Sequence, residues 1–348
     1  MSLRPFFGAA LAVLLLSAAA RAAGAADEAG APGINVSIPV FATGLPKDAP
    51  AYAELGVFPR IREIEARYLP FVLRRKLAET GAWGAVRVVS DPATIEELVI
   101  HGEILQSKGT LFEVRIRAVD ASGAVWLDDR FSAVPDGAND PGYERLFAGV
   151  AARLDTARRG QAPDHVATVR EIALLRYGAK LAPKTFGQYL DESDDGVVSI
   201  RRLPARNDPM LDRIRRVREA EYVIIDAADG RYETLHEEVG SIYAVWQDFN
   251  RKSLGYEAQD ARRIADPTPA GPRGSYEALL DAYENYKYTR MTAEERDDMA
   301  VAFDNEMRPK LARLDERLAV YNAWLEDRYR QWNRLLEELN SIETRLAD

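Results

Sequence analysis

The sequence predicts an α+β protein in two parts. A small β-α-β-β-β-α layer domain comes first, and an all-helical domain with a long, coiled-coil-like helical hairpin follows. Two patterns carry this expectation. Thr110 to Val119 alternates, with Leu111, Glu113, Arg115 and Arg117 on one side and Phe112, Val114, Ile116 and Ala118 on the other. That is the period of a half-buried antiparallel strand. Much later, apolar residues recur in three-four spacing: Leu311, Leu314, Leu318, Tyr321, Leu325, Arg328, Trp332, Leu335, Leu339, Ile342 and Leu346, with Arg328 the one interruption. Ile225, Ala228, Tyr232, Leu235, Val239, Ile242, Trp246 and Phe249 repeat the pattern without exception. Such a period keeps one seam facing a partner helix along its length.

The amino end reads as a processing signal. Arg4 precedes an apolar run, Phe6 to Ala20, broken only by Gly8 and Ser17. The run is about 15 residues, short of the roughly 20 that span a bilayer. Small residues follow, and cleavage after Ala22 or Ala25 satisfies the usual rule. Residues 1–25 are therefore expected to be a secretory signal and 26–33 a disordered linker. The expected location is periplasmic or secreted, with no stable membrane insertion.

Within 34–159, Ile34 to Phe41 is expected as a strand and Phe58 to Thr80 as a helix that Pro70 kinks or splits. Ala85 to Ser90 and Glu97 to Gln106 read as strands. Asp120 to Gly123 is the turn that returns Thr110–Val119 into Ala124–Val134. Pro141 to Arg159 closes the unit as a helix bearing Tyr143, Leu146, Phe147, Val150 and Leu154. Gly160 to Pro163 marks a boundary, and 164–348 forms the helical part. There, His165 to Tyr177 is one helix. Asp208-Pro209 starts a long one toward residue 251, as an N-cap followed by proline in the first turn. Tyr276 to Tyr288 is a short helix bearing Tyr276, Leu279, Leu280, Tyr283 and Tyr286. The last helix, 293–346, opens on a capping box formed by Thr292 and Glu295. Leu311 to Leu346 spans roughly 50 Å at helical rise.

The strand-helix-strand order, with Ile100-His101-Gly102-Glu103-Ile104, Gly109, Val114 to Gly123 and Val125-Trp126-Leu127, resembles the small periplasmic domain at the amino end of TolB. Curli-secretion and penicillin-binding-protein-activator lipoproteins carry related versions. The likeness covers about 120 residues, and it is one of fold more than of role. It implies an envelope interaction module rather than an enzyme. Many of these relatives are lipoproteins, whereas this chain has no cysteine to anchor or to cross-link.

Charge and chemistry narrow the function further. The net charge of −9 disfavours nucleic acid, which needs a basic footprint. With three histidines in separate elements, no zinc spacing arises. No phosphate-binding, dinucleotide or serine-hydrolase motif is present. Carboxylate pairs such as Glu63/Glu65, Glu96/Glu97, Asp128/Asp129 and Glu237/Glu238 read as mostly solvated faces. Asp191, Ser193 and Asp195, followed by Gly196, imitate the first half of a calcium-binding EF-hand loop. Arg202 stands where that loop needs its bidentate glutamate. The loop is thus either a weak calcium site or an acidic turn.

The expectation is a non-catalytic scaffold or adaptor that binds an envelope protein, without a cofactor. Its partner surface is expected at Tyr321, Trp324, Tyr329 and Trp332. The long helical seams pack internally or form a homodimer. Two alternatives stand beside it: a glycan hydrolase using paired carboxylates, and a calcium-responsive module.

Overall fold

The computed structural model describes residues 33–45, 59–89, 93–108, 111–134, 142–205 and 207–223, together with Asp91, Ile225, Asp226, Gly240 and isolated positions between 275 and 338. The fold is α+β. Strands β1 (Val36–Pro39), β2 (Val86–Val89), β3 (Leu98–Lys108), β4 (Leu111–Asp120) and β5 (Val125–Ala133) make one sheet in the order β2-β1-β3-β4-β5. Helix α1 (Pro59–Glu79) links β1 to β2, and α2 (Tyr143–Arg159) follows β5. The expected β-α-β-β-β-α order is therefore present. β1 runs parallel to both neighbours, pairing Val36 with Val86 and with Leu98. The β3-β4-β5 meander is antiparallel.

The alternation in β4 sends Phe112, Val114, Ile116 and Ala118 into the core. Ile64, Leu69, Val72, Leu73 and Leu77 of α1 meet them there, with Phe147, Val150 and Leu154 of α2. Both helices cover one face of the sheet. Burial of so continuous an apolar set is the main stabilising term, at about 25 cal/mol per Å² removed from water.

Pro70 neither splits nor ends α1, which runs unbroken over 21 residues. Proline lacks the N–H that would have bonded the carbonyl of Ala66. Phe41 N–H donates to that carbonyl instead, at 2.9 Å. The chain just past β1 thus repairs the helix. Phe41 also explains Gly102 of β3, because a Cβ there would sit 2.5 Å from the Phe41 ring.

The second part begins with α3 (Pro163–Leu181), α4 (Pro183–Phe186) and a 3-10 turn (Gly187–Tyr189). It is not purely helical at its start, since β6 (Leu190–Glu192) and β7 (Val198–Ile200) pair as a small antiparallel hairpin. β-branched Val197, Val198 and Ile200 beyond an acidic turn favour strand over helix there. Helix α5 covers residues 209–223, and Asp208 caps it as expected by accepting Met210 N–H at 2.8 Å. Met210, Leu211 and Ile214 pack on Leu175, Tyr177, Leu181 and Phe186. The long seams of 225–249 and 311–346 lie almost wholly outside the described residues. Among the described residues, no helix is long and apolar enough to cross a membrane.

Candidate functional site

The loop that enters β3 delivers two consecutive acids, Glu96 and Glu97, and neither is the solvated group that their adjacency suggests. Glu96 is 3% exposed. Its carboxylate accepts Tyr222 O–H at 2.8 and 3.0 Å and the Arg218 guanidinium at 3.2 Å. Arg218 also donates to the Ile95 carbonyl and pairs with Glu221 at 3.2 Å. Its guanidinium lies 4.4 Å from the Tyr177 ring centre and 4.7 Å from that of Tyr222. Burial disfavours the charge of this arginine, but Glu96, Tyr222 and Glu221 more than offset that and raise its pKa. Burial, with Glu96 beside it, raises the Tyr222 pKa as well, so the phenol keeps its proton.

Arg87 extends the cluster across the sheet. It donates to Asp226 at 2.7 and 3.0 Å and lies 3.9 Å over the Tyr222 ring. Its register partner Ser37 is also buried, at 2% exposure. Both residues sit on the face opposite α1 and α2, where α5 crosses the β2 side of the sheet. Charged and aromatic contacts, more than aliphatic ones, fasten α5 to that face.

Beside the cluster opens a cleft of about 220 Å³. Ala173 and Leu174 line its apolar part, and Glu97, Arg170, Arg215 and Glu219 bring charge to it. Glu97 accepts the Asn35 N–H at 3.0 Å and faces Arg170 at 3.5 Å. Burial raises its pKa; the Asn35 N–H opposes this, Glu96 adds to it, and Arg170 opposes it. Glu97, Glu96 and Glu219 all border the cleft. Of these, Glu96 has its oxygens bonded to Tyr222 and Arg218.

A second polar centre lies at the β4–β5 turn. Asp120 has no exposed side-chain surface. One oxygen accepts Ser122 N–H at 2.8 Å, Ser122 O–H at 2.6 Å and Ala124 N–H at 3.1 Å. The other accepts Trp126 Nε1–H at 2.7 Å and meets His165 Nε2 at 2.7 Å. Serine, histidine and aspartate are thus together, but both partners converge on the same carboxylate. A proton relay requires them in series. This aspartate holds a turn and joins it to the first turn of α3.

The EF-hand-like loop is a hairpin turn. Asp191 lies in β6 and accepts two bonds from Arg201 Nε, at 2.9 and 3.0 Å, which hold its carboxyl below the usual range. Ser193 Oγ accepts Val197 N–H at 3.1 Å, and Gly196 takes φ +77° to close the turn. Asp195 is exposed. Arg202 reaches Gln188 and lies over the Tyr189 ring at 5.3 Å. Among the described residues, no three His, Asp or Glu side chains are placed to hold a metal ion. The hairpin docks on the β4–β5 turn, where Val198 N–H donates to Ser122 O at 2.8 Å. The expected partner residues Tyr321, Trp324, Tyr329 and Trp332 lie outside the described residues.

Sequence reasoning missed the Glu96–Arg218–Tyr222 cluster and the Asp120–His165 pair. The partners are 122 to 126 residues apart in the first and 45 apart in the second. The one local signal was Asp120 itself, placed where an Asx turn expects it.

No protein-family model matches the chain, and no curated protein matches it. Among solved structures, two of the PelC dodecamer from Paraburkholderia phytofirmans align with it. One, a point variant, shares 16% identity at a TM-score of 0.25, covering 36% of this chain and 92% of PelC. The other shares 17% at 0.26, covering 36% and 91%. A likeness this slight assigns no role.

Proposed function

We propose that this chain is an exported, non-catalytic scaffold or adaptor that binds another periplasmic or outer-membrane protein. The use of its buried acids supports this most. Glu96 and Asp120 are surrounded by protein donors that join separate elements. Acids held this way brace a framework and are poorly placed to shuttle protons during turnover. The sheet also ends in β5, which pairs only with β4 among the described strands. Val125 and Val134 at its ends are 47% and 65% exposed. Such an edge suits a partner that adds a strand. A photo-reactive side chain at Val125 or Val134 tests the reading in cells. A discrete cross-linked protein is expected from those positions and not from exposed Glu63 on α1. Hydrolysis of peptidoglycan by the purified chain would overturn it.

One observation favours a second reading. Glu97, with its raised pKa beside a cleft, suits the general acid of a glycan hydrolase. On that reading Glu97→Gln abolishes hydrolysis by the purified chain. On the first there is none to lose.

A further inference from the structure

The cleft beside the Glu96 cluster holds two carboxylates that the fold does not fully satisfy. The Glu97 side chain is only 15% exposed, and both of its close contacts fall on one oxygen. Oε2 accepts the Asn35 N–H at 3.0 Å and faces Arg170 at 3.5 Å. Among the described residues, nothing donates to Oε1. A largely buried carboxylate oxygen is costly to leave so unless water or a ligand supplies the donor. Glu219 of α5 borders the same cleft, exposed and without a partner among the described residues.

The other charges on the wall decide the sign of that ligand. Arg218 is held by Glu96 and Glu221, and Arg215 by Asp212 at 2.7 Å. Arg170 already faces Glu97. Each guanidinium thus has an acid, whereas Glu97 Oε1 and Glu219 have no cation. The net charge of −9 adds to the attraction for a positive group. A metal ion fits poorly, because no three His, Asp or Glu side chains among the described residues are placed to hold one. The cleft also has an apolar wall, Ala173 and Leu174, which suits a cation carried on a hydrocarbon chain. Its volume of about 220 Å³ lies below the roughly 300 Å³ at which drug-sized sites begin, so the ligand is small. An ammonium has three donors in one compact head, where a guanidinium presents a fixed plane.

We propose that this cleft binds a primary alkylammonium group, with Glu97 and Glu219 as its acceptors and Ala173 and Leu174 beside its chain. The group belongs to a free small amine or to a lysine side chain of a bound protein. Burial raises the pKa of Glu97, and a cation seated beside it offsets that penalty on the ionised form. The site goes beyond the adaptor reading and does not use its proposed β5 surface. Glu97 is an acceptor here, not the acid of a hydrolysis.

Titration of the purified chain with n-butylammonium chloride tests this, read by magnetic resonance at the Ala173 and Leu174 methyl groups. Saturable shifts are expected there with a Kd of about 1–10 mM, and butyrate should produce none. Glu97→Gln keeps an oxygen for the Asn35 N–H and should weaken binding about tenfold. Glu219→Gln, an exposed change that leaves the fold alone, should weaken it about two- to threefold. Nα-acetyl-lysine amide separates the two sources. Shifts matching those of butylammonium support a lysine side chain, and their absence supports a free amine. No saturable shift with butylammonium, tighter binding of butyrate, or an affinity unchanged in either variant would overturn the proposal.

Discussion

Folding makes the Glu97 carboxyl harder to ionise. Burial is the main cause; the Asn35 N–H opposes it, Glu96 reinforces it, and Arg170 opposes it. Because the folded-state pKa stands above the unfolded value, the folded protein binds this proton more tightly. That contribution to stability is complete below the unfolded pKa and is lost as pH rises through the folded one. Glu97→Gln keeps an oxygen for the Asn35 N–H and suffers no such loss. The variant is expected to melt above the parent at pH 7, with the difference closing near pH ~4, where the parent glutamate is largely protonated in both states. Melting curves at the two pH values decide it. A variant less stable at pH 7 would mean that Arg170 and Asn35 together favour the ionised form.

At the scale of elements, the β4–β5 turn is the joint between the sheet and the part that follows. Gly123 adopts φ +87°, and a Cβ there would lie 2.5 Å from Gly196 O. The turn is thus pressed against the β6–β7 hairpin while Asp120 ties it to α3. Asp120→Ala would strand the Trp126 indole N–H and the turn's own N–H groups, at a cost of about 1–3 kcal/mol for each buried group left unpaired. Hydrogen exchange should report faster opening of both 120–126 and 163–181. If only the turn loosens, His165 contributes nothing to the joint. The turn itself was legible in the sequence, because Asp120 to Gly123 carries its own local chemistry. The order of elements along the chain was legible for a similar reason: the alternation in 111–118 is a short-range signal. The split allowed for at Pro70 does not occur because its compensating donor, Phe41, comes from another element. Glu96 and Glu97 were misread because their partners lie far along the chain: Arg218 and Tyr222 for Glu96, Asn35 and Arg170 for Glu97.

For the whole molecule, α5 returns to the sheet and is fastened there by Arg218, Tyr222 and Asp226. Removing one member of a buried ion pair costs about 3–5 kcal/mol, because the other charge is left without a partner. Arg218→Met is therefore expected to lose stability in that range by urea titration. Adding Glu96→Gln should restore much of it, since a neutral amide can remain hydrogen-bonded to Tyr222. If the double variant is no better than the single, packing of the Arg218 stem between Tyr177 and Tyr222 outweighs its charge.

The placement of β1 has a consequence for how the chain assembles. Val36 pairs with Val86 on one side and Leu98 on the other. A chain emerging amino end first, from a ribosome or through a pore, carries this strand with neither neighbour until Val86, about fifty residues later, and with only one until Leu98. During that wait, its unsatisfied backbone is a template on which other chains can stack. Four residues ending in proline, Val36–Pro39, make a poor template. A strand that ends up with neighbours on both sides is thus poorly suited to nucleate aggregation while it waits.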